Sequence, residues 1–506
     1  MTPTRIVMRA GKPPHAAMSV ENALAYGNAG TFATNVGNAL YATAVYRHLK
    51  TPRTQVLTDG MTMQQPGVTD EDCARLNEEA DAVVLPLANA FRESFLHHLD
   101  NLSEMIERLT IPVIVIGVGS QLTLGDGVDT ANDAVNDSAR RFVAAVLDRS
   151  ESIGVRGEVT AAYLRDLGFS DDRIDVIGCP SMFDLDHARR IDKPQTLDAD
   201  APMAISLTPG VPLCPELFRH NFERYPGLIY VGQEISELRL LVWGEPVENC
   251  PDGFPMRVDH PAYTSGRMRM CVDLSTWSAL MAQQRFAFGT RLHGVVAGLH
   301  AGTPSMLLAH DSRTLELAEY HRIPFLRTDD APPLDARELF DRLDVSDYNA
   351  AADDRLARYA RFLERNGLEH TLDPANRDHE YDQSLANAAF PPPIAPITVS
   401  DPTQAISRLR WLWEYPGTDR RRAARFYNPE FPANSGVPKI RPLATMVFAH
   451  ERRGERQGAR IAELRRQVRE LERQVDRLER ITQTLVSRTL RSRVKRLLQR
   501  FGLFKA

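Results

Sequence analysis

The segment FGTRLHGVVAGLHAGTPS, from Phe288 to Ser305, combines a permanently charged side chain with a titratable one. Arg291 and His293 stand two positions apart within it. An arginine guanidinium binds carboxylate and phosphate groups in a planar, bidentate way, and a histidine imidazole takes up and releases protons near neutral pH. The pair is therefore suited to hold an anion and to move a proton beside it.

Turn residues and small residues around this pair predict the elements that position it. A strand predicted to end at Gly289 leads into a helix that starts near Leu292, and the G-T-P of residues 302–304 precedes another strand. Arg291 and His293 then lie at a helix N-terminus, where backbone N–H groups favour an anion. The alternative is a structural arginine beside a hydrogen-bonded core histidine.

From residue 81 onward, short apolar runs alternate with helical periods, as expected of parallel βαβ units. We predict an N-terminal α/β domain over residues 1–195. Its predicted strands are Ala82–Leu87, Pro112–Gly117, Ser152–Val155 and Arg173–Ile177, and its predicted helices are Phe91–Leu109, 134–148 and Glu158–Leu167.

A C-terminal α/β domain that holds the anion site is predicted over residues 200–370. Its predicted strands are Ala204–Leu207, Leu228–Val231, Arg285–Phe288 and Ser305–Leu308, with an irregular loop over 244–268. Two such halves leave a cleft between the carboxyl ends of their sheets, where these folds bind ligands. Residues 371–450 are rich in Pro, Trp, Tyr and Arg, and they are predicted to form an irregular arm without an assigned function.

Three further motifs precede the R-L-H segment in the chain. The first is Asn28 with the N-V-G-N of 35–38, the second is the I-G-V-G-S-Q of 116–121, and the third is the G-V-R of 154–156 with the L-R-D-L-G of 164–168. With the R-L-H and G-T-P of 291–304, they resemble the polysaccharide pyruvyl transferase family over residues 27–320. The resemblance implies an α/β fold of two Rossmann-like domains similar to the glycosyltransferase B fold, with phosphoenolpyruvate as donor substrate and no cofactor. It also implies transfer of pyruvate to a sugar of a cell-surface glycan as a ketal.

The sequence departs from the family pattern at three positions. Asn38 stands where an acid usually follows the first-loop glycine, and Gly157 delays the acid after V-R to Glu158. Arg313 stands where a lysine often follows the strand after G-T-P. These changes affect the acceptor and the reaction rather than the anion site.

The resemblance also suggests roles for individual residues. Arg156, Arg291 and Arg313 are candidates to clamp the carboxylate and phosphate of the donor, although Arg156 and Arg313 taken singly fit surface or structural arginines. His293 is the candidate to move protons during ketal formation. Neutral groups on the glycine loops are candidates for binding sugar hydroxyls, or alternatively act as turn formers and helix caps; they are Asn28, Asn35, Gly119, Ser120 and Gln121.

Composition excludes several other classes of protein. Apolar residues make up 43% and charged residues 25%, as in ordinary globular proteins, and no apolar run approaches the roughly 20 residues of a membrane span. Met1–Ala10 lacks the apolar core of a secretory signal, so a cytoplasmic location is predicted. The five cysteines are scattered without a C-x-x-C pair, no metal site is predicted, and no dinucleotide or Walker A motif occurs.

The C-terminal residues 455–506 are predicted to form a coiled coil followed by a basic amphipathic helix. Ile461, Val468, Val475 and Thr482 fall at heptad position a, and Leu464, Leu471, Leu478 and Leu485 fall at d. This pattern favours a parallel homodimer through 461–485. Residues 490–505 carry six basic side chains from Arg491 to Lys505, which suits peripheral contact with a membrane surface or a solvated helix end. No nucleic-acid partner is predicted, and the expected partner is a glycan or lipid-linked saccharide acceptor.

Two other functions remain open from the sequence. A glycosyltransferase of similar fold could hold the diphosphate of a nucleotide sugar at the same helix N-terminus. A catalytically silent scaffold could use the coiled coil to recruit partners, although intact Arg291 and His293 argue against it.

Overall fold

The computed structural model describes most of the chain. The described residues are 3–17, 19–20, 23–24, 35–120, 133–183, 190–247, 250–400 and 402–414. All of them belong to the first of the two units into which the chain divides, Met1–Met446, and the second unit is Val447–Ala506. The predicted coiled coil and basic helix of 455–506, together with Asn28 and Gln121, lie outside the described residues and stay predictions.

A parallel sheet forms the centre of the first half, which we define as the described residues up to Phe183. The strands are β1 (Thr4–Met8), β2 (Thr54–Thr58), β3 (Ala82–Pro86), β4 (Asn89–Phe91), β5 (Val113–Ile116), β6 (Gly119–Ser120), β7 (Ile153–Val155) and β8 (Ile174–Val176). The helices are α1 (Val36–Leu49), α2 (Asp70–Glu79), α3 (Leu96–Ile106), α4 (Asp133–Leu147) and α5 (Glu158–Asp166). The sheet order is β2-β1-β3-β5, and the pairs β4–β6 and β7–β8 are also parallel.

The predicted strands Ala82–Leu87 and Pro112–Gly117 are confirmed as β3 and β5. Every residue of both strands is buried. A parallel sheet is covered by helices on both faces, so its strands form continuous apolar runs, and such runs are visible in a sequence. The predicted helices that correspond to α4 and α5 are confirmed to within a residue at each end.

The predicted helix Phe91–Leu109 is wrong in its first turn. Phe91 belongs to β4 and pairs with Ser120 of β6, and a 3-10 turn at Glu93–Phe95 precedes α3. The short parallel pair gives this backbone partners in a sheet, so the helix begins only at Leu96. β1, β2 and α2 lie before residue 81 and are elements that the apolar pattern did not reveal.

A second parallel sheet forms the centre of the second half, which we define as described residues 190–370. The strands are β9 (Met203–Ser206), β10 (Leu228–Gly232), β11 (Met268–Met270), β12 (Phe286–Gly289), β13 (Ser305–Ala309) and β14 (Phe325–Arg327). The helices are α6 (Cys214–Arg224), α7 (Ile235–Trp243), α8 (Pro261–Thr264), α9 (Leu274–Met281), α10 (Leu292–His300), α11 (Ser312–His321), α12 (Ala336–Arg342) and α13 (Ser346–Arg365). The strand order is β11-β10-β9-β12-β13-β14, and all neighbours are parallel.

The four predicted strands of this half are confirmed as β9, β10, β12 and β13. The edge strands β11 and β14 were not predicted, because three residues are too few to establish a pattern. The irregular loop predicted over 244–268 is wrong at α8. Pro261 starts this short helix, and the His260 side chain accepts a hydrogen bond from the Ala262 N–H.

The two halves share one core. Alternate residues of β1 face opposite sides of the first sheet: Ile6 and Met8 belong to a cluster that continues into the second half, whereas Val7 belongs to a separate cluster on the other face. The predicted division into domains 1–195 and 200–370 stays a prediction, since both sheets lie in the same unit. No helix in the described part of the chain is both long enough and apolar enough to cross a membrane.

The segment predicted as an irregular arm over 371–450 contains helices where it is described. These are α14 (His379–Ala386), where Asp378 accepts a hydrogen bond from the Tyr381 N–H, and α15 (Pro402–Glu414). Ile394 forms an antiparallel bridge with Met270 at the edge of the second sheet. The irregular description is therefore wrong for these two stretches. The start of α14 contacts the first half, because Asp378 forms an ion pair with Lys50 and the ring centres of Tyr381 and Tyr46 lie 5.8 Å apart, whereas Ile394 joins the second sheet.

The strand order changes direction at one point in each sheet. In the first sheet the change lies between β1 and β3, and in the second it lies between β9 and β12. Ligands of open α/β sheets bind beyond the carboxyl ends of the strands at such points. The carboxyl end of β12 leads to Arg291, so the second switch point is where a site is expected.

Candidate functional site

A tight turn brings the R-L-H segment close to the carboxyl end of β9. Gly289 ends β12 with φ +143°, and a Cβ at this position would lie 2.0 Å from the Ser206 carbonyl oxygen. Only glycine fits so close an approach. Arg291 is the N-cap residue of α10, and His293 lies in its first turn.

Arg291 is held by partners from its own half. Its Nε donates to the Leu207 carbonyl oxygen at 3.1 Å, and its Nη1 forms an ion pair with Glu234. Burial alone would lower the pKa of Arg291, but Glu234 and Glu237 together raise it. The predicted clamp role of Arg291 stays a prediction, and the geometry commits this guanidinium to a protein carboxylate.

Asn35 connects the two halves at Glu234. Its side-chain oxygen accepts a hydrogen bond from the Gly37 N–H at 2.7 Å and caps α1, while its Nδ2 donates to Glu234 Oε1 at 2.7 Å. The Val36 N–H donates to the Gln233 carbonyl oxygen at 3.0 Å. Asn35 is therefore a helix cap, as the alternative prediction from the sequence had it, and its side chain also connects the two halves by a hydrogen bond.

His293 packs against Gly37 of the first half. A Cβ at Gly37 would lie 2.4 Å from His293 Nδ1, so glycine leaves the space that the ring occupies. His293 is 8% exposed, and its Nε2 has no hydrogen-bond partner among the described residues. Burial, together with the positive charges of Arg156 and Arg313, lowers the pKa of His293 to about 3. The ring is neutral at physiological pH.

Arg156 is the most deeply buried arginine of the site, at 1% exposure. It follows β7, its Nε donates to the Gly117 carbonyl oxygen at 2.9 Å, and its guanidinium lies 5.9 Å from the centre of the Tyr41 ring. A Cβ at Gly119 would lie 2.8 Å from Arg156 Cδ, so the glycine loop makes room for this side chain. Its Nη2 has no hydrogen-bond partner in the described part of the chain.

Arg313 approaches the same region from α11. Its Nη2 donates to Asp311 at 3.2 Å, whereas its Nε has no partner among the residues described. The positive charge of Arg313 lowers the pKa of both His293 and Arg92. Arg156 and Arg313 come from distant motifs of the sequence, and the charges of both act on His293.

Arg92 is a site residue that the sequence analysis missed. It directly follows β4, it is partly buried, and its Nε has no hydrogen-bond partner within the described ranges. Burial lowers the pKa of Arg92, and the positive charges of Arg313 and Arg156 lower it further. The sequence holds no local signal for this position, because β4 has only three residues and pairs with β6 about 30 positions later in the chain, and the segment from Phe91 is predicted as a helix.

Ser120 was a candidate for binding sugar hydroxyls, and that role stays a prediction. Its N–H donates to Thr160 Oγ1 at 3.2 Å, and Ser120 is 3% exposed. The Thr160 N–H in turn donates to Glu316 Oε1 at 2.8 Å. Ser120 therefore belongs to a buried network at the start of α5, and Glu316 is a second residue that no motif indicated.

A cavity of about 610 Å³ lies beside the site. Residues of both halves and of the segment around α14 line it, among them Lys12, Asn38, Asp273, His300 and Phe390. Asn38 follows the glycine against which His293 packs, and His300 ends the helix whose first turn contains His293. The cavity therefore lies along α1 and the end of α10, and His293 is not among its described lining residues.

The arrangement can bind a multiply charged anion beside a neutral imidazole. At this site, the guanidinium groups of Arg92, Arg156 and Arg313 each carry an N–H donor without a hydrogen-bond partner among the described residues. Like charges that are partly buried together are costly unless an opposite charge compensates them. An anion with several oxygen acceptors satisfies both requirements.

A family model for polysaccharide pyruvyl transferase matches residues 35–312. The matched stretch is more than half of the 506 residues and contains Asn35, Arg92, Arg156, Arg291 and His293. No curated protein matches the chain significantly.

Several solved structures are similar to the chain at low sequence identity. The UDP-GlcNAc 2-epimerase from Neisseria meningitidis bound to UDP-GlcNAc is 10% identical with a TM-score of 0.35, covering 76% of this chain and 100% of that one. The Anabaena protein HepE in complex with UDP and glucose is 12% identical with a TM-score of 0.34, covering 76% and 99%. The Methanocaldococcus jannaschii UDP-GlcNAc 2-epimerase is 10% identical with a TM-score of 0.34, covering 68% and 91%. These scores are low, so the family model alone carries the assignment.

Proposed function

Because the chain belongs to the polysaccharide pyruvyl transferase family, we propose that it transfers pyruvate from phosphoenolpyruvate to a sugar of a cell-surface glycan as a ketal. The observation that carries the proposal is the set of unpaired guanidinium N–H groups around His293. Phosphoenolpyruvate carries a carboxylate and a phosphate on the same carbon atom, and arginine binds both groups bidentately.

Arg156 and Arg313 are the residues that we assign to the donor. Their unpaired donors are Arg156 Nη2 and Arg313 Nε, and the charges of both residues act on His293. Arg291 acts differently in this proposal. Its pairing with Glu234 fixes the start of α10, so it positions His293 rather than taking the donor's charge.

His293 acts as a base at the start of the reaction. A neutral ring with an unpaired Nε2 accepts the proton of a sugar hydroxyl, although a group with a pKa near 3 is a weak base. The negative charges of bound phosphoenolpyruvate favour the protonated ring and raise this pKa. Donor binding therefore makes His293 a stronger base, so the ring takes the proton of a sugar hydroxyl only when the donor is bound.

The overall reaction balances without a cofactor. The enol CH₂ of phosphoenolpyruvate gains a proton and becomes the methyl group of the ketal. Two sugar hydroxyl oxygens bond to the central carbon, the carbon–oxygen bond to phosphate breaks, and inorganic phosphate leaves with the second hydroxyl proton. His293 is placed to carry protons in these steps, and the arginines hold the charge that moves onto phosphate.

The adjoining cavity is our proposed acceptor space. Its volume of about 610 Å³ lies in the range of small-molecule sites. It is lined by both polar and apolar side chains, including Asn38, Asp273 and Phe390. Such a mixture suits a saccharide, whose hydroxyl groups and ring faces need different partners.

A donor screen by thermal shift tests the proposal. Phosphoenolpyruvate is expected to raise the melting temperature of the wild-type protein in a concentration-dependent way, because a ligand that binds only the folded state stabilises it. Nucleotide sugars, including UDP-N-acetylglucosamine, serve as the alternative donors. Stabilisation by a nucleotide sugar but not by phosphoenolpyruvate would overturn the proposal in favour of a glycosyltransferase.

A further inference from the structure

Arg92 has no charge partner in the described part of the chain. No carboxylate lies within ion-pair distance of its guanidinium there, and its Nε is buried without a hydrogen-bond partner. Its one ring contact among the described residues is with Phe95, whose centre lies 5.9 Å from the guanidinium carbon. A partly buried arginine without a carboxylate is unusual, because burial of an uncompensated charge costs free energy.

The position of Arg92 is fixed by the strand pair that precedes it. Phe91 pairs with Ser120, and Asn89 pairs with Gly119. Gly119 is the glycine against which the Arg156 side chain packs. The β4–β6 pair therefore links the position of Arg92 to the glycine loop that packs on Arg156, and the charges of Arg156 and Arg313 both act on Arg92.

These three arginines outnumber their carboxylate partners. Arg313 is paired with Asp311, whereas neither Arg92 nor Arg156 has an ion pair among the residues described. Glu316, which lies near Arg156, already accepts hydrogen bonds from Thr160. The excess positive charge is left for a ligand.

We propose that Arg92 binds the donor directly and supplies the third guanidinium of its anion site, the place that the sequence analysis gave to Arg291. The proposal rests on the proposed function, because phosphoenolpyruvate carries three negative charges when fully ionised. Arg92 adds a positive charge for the negative charge of the donor that Arg156 and Arg313 alone leave uncompensated. It thereby makes the site selective for a small molecule with both a carboxylate and a phosphate.

Calorimetric titration of full-length variants with phosphoenolpyruvate, inorganic phosphate and pyruvate tests this role. Arg92→Gln is expected to weaken phosphoenolpyruvate binding about ten- to hundredfold, as loss of a charge-assisted hydrogen bond does. Arg92→Lys keeps the charge but loses the planar guanidinium, so its affinity for phosphoenolpyruvate is expected to lie between those of the wild-type protein and Arg92→Gln. Arg141→Gln is the matched control, since Arg141 is half-exposed and pairs with Glu107 on the helical surface.

The melting temperature of the ligand-free variants separates binding from structure. Removing one of three mutually repelling charges is expected to raise the melting temperature of Arg92→Gln, whereas a structural arginine would lower it on removal. Wild-type affinity in Arg92→Gln, or weaker binding with a lower melting temperature, would overturn the inference. If the wild-type protein binds inorganic phosphate through Arg92 but does not bind phosphoenolpyruvate, the proposed function fails while the anion-binding role of Arg92 stands.

Discussion

Arg291 and Arg156 carry the same charge but have different neighbours. Glu234 neutralises Arg291, while Arg156 has only the Gly117 carbonyl oxygen and the Tyr41 ring beside its unpaired Nη2. The R-L-H motif identified the site from the sequence, since residue types and spacing were enough to indicate an anion beside a histidine. The motif could not predict which arginine binds the donor and which forms an ion pair within the protein. Glu234 lies 57 residues from Arg291, and only the fold brings them together.

The first residue-scale prediction concerns turnover. His293→Ala is expected to lower kcat by roughly 10²–10⁴-fold, the usual contribution of a general acid–base group, with donor affinity largely kept. Steady-state kinetics combined with calorimetry measures both quantities. His379→Ala, which alters an exposed histidine at the start of α14, is the control. Wild-type turnover in His293→Ala would remove this residue from the mechanism.

The second residue-scale prediction concerns acid stability. The pKa of His293 is about 3 in the folded protein and near its ordinary value when unfolded. The unfolded state therefore binds more protons between these values, and the free energy of unfolding falls as pH falls below about 6.5. At pH 5 the loss from this residue is about 2 kcal/mol.

Urea unfolding at pH 7 and pH 5 tests this prediction. His293→Gln cannot take up the proton, so it should lose about 2 kcal/mol less than the wild-type protein between these pH values. Burial also lowers the pKa of His321 to about 3. His321 is present in both proteins, so it contributes the same loss of unfolding free energy to each. Equal losses in the two proteins would show that His293 is not buried as a neutral ring.

At the scale of elements, α11 connects the two halves through one face. Glu316 accepts from Thr160 at the start of α5, the Tyr320 hydroxyl donates to the Val176 carbonyl oxygen at 2.9 Å, and His321 Nε2 accepts from the Cys179 N–H at 2.8 Å. Arg313 lies in the first turn of the same helix. α11 therefore sets the distance between Arg313 and the Arg156 loop.

Loss of the carboxylate of Glu316 should weaken this connection. Glu316→Gln retains one acceptor oxygen where Thr160 needs two, so the free energy of unfolding is expected to fall by about 1–3 kcal/mol. The KM for donor should rise, because Arg156 precedes the helix that Glu316 caps. Glu319→Gln changes an exposed carboxylate on the same helix and serves as the control in both denaturation and kinetics. Unchanged stability and KM in Glu316→Gln would contradict this role for α11.

The elements that could be predicted are those with continuous apolar runs or clear helical periods. β3, β5, β9 and β13 are fully buried, and a parallel sheet imposes that pattern on sequence. β11 and β14 are edge strands of three residues, and β4 depends on a partner 30 positions away in the chain. Pairing over such distances leaves no local trace, and this is why Arg92 was missed.

At the scale of the whole molecule, the site lies where two sheets meet over a shared core. Residues of β1 and of the second half belong to one apolar cluster. Hydrogen bonds from Asn35 to Glu234 and from Thr160 to Glu316 also connect the two halves. The strand order fixed the approximate place of the site, beyond the carboxyl end of β12. The C-terminal residues carry a separate prediction.

The heptad pattern of 461–485 is expected to make the protein a dimer. Leucines at d and β-branched residues at a are buried only when two helices pair. Truncation after Gly454 should convert dimers to monomers, as measured by light scattering, without changing donor affinity. The same oligomeric state with and without the tail would refute the predicted coiled coil.

Mass spectrometry of the glycan product formed in D₂O tests the central claim most directly. If pyruvate is transferred from phosphoenolpyruvate as a ketal, the acceptor gains one pyruvyl group whose methyl carries a deuterium from solvent, and inorganic phosphate is released in equal amount. His293→Ala should lower the amount of this product without changing its mass. A glycan that gains a sugar from a nucleotide sugar, and no pyruvyl group from phosphoenolpyruvate, would contradict the account.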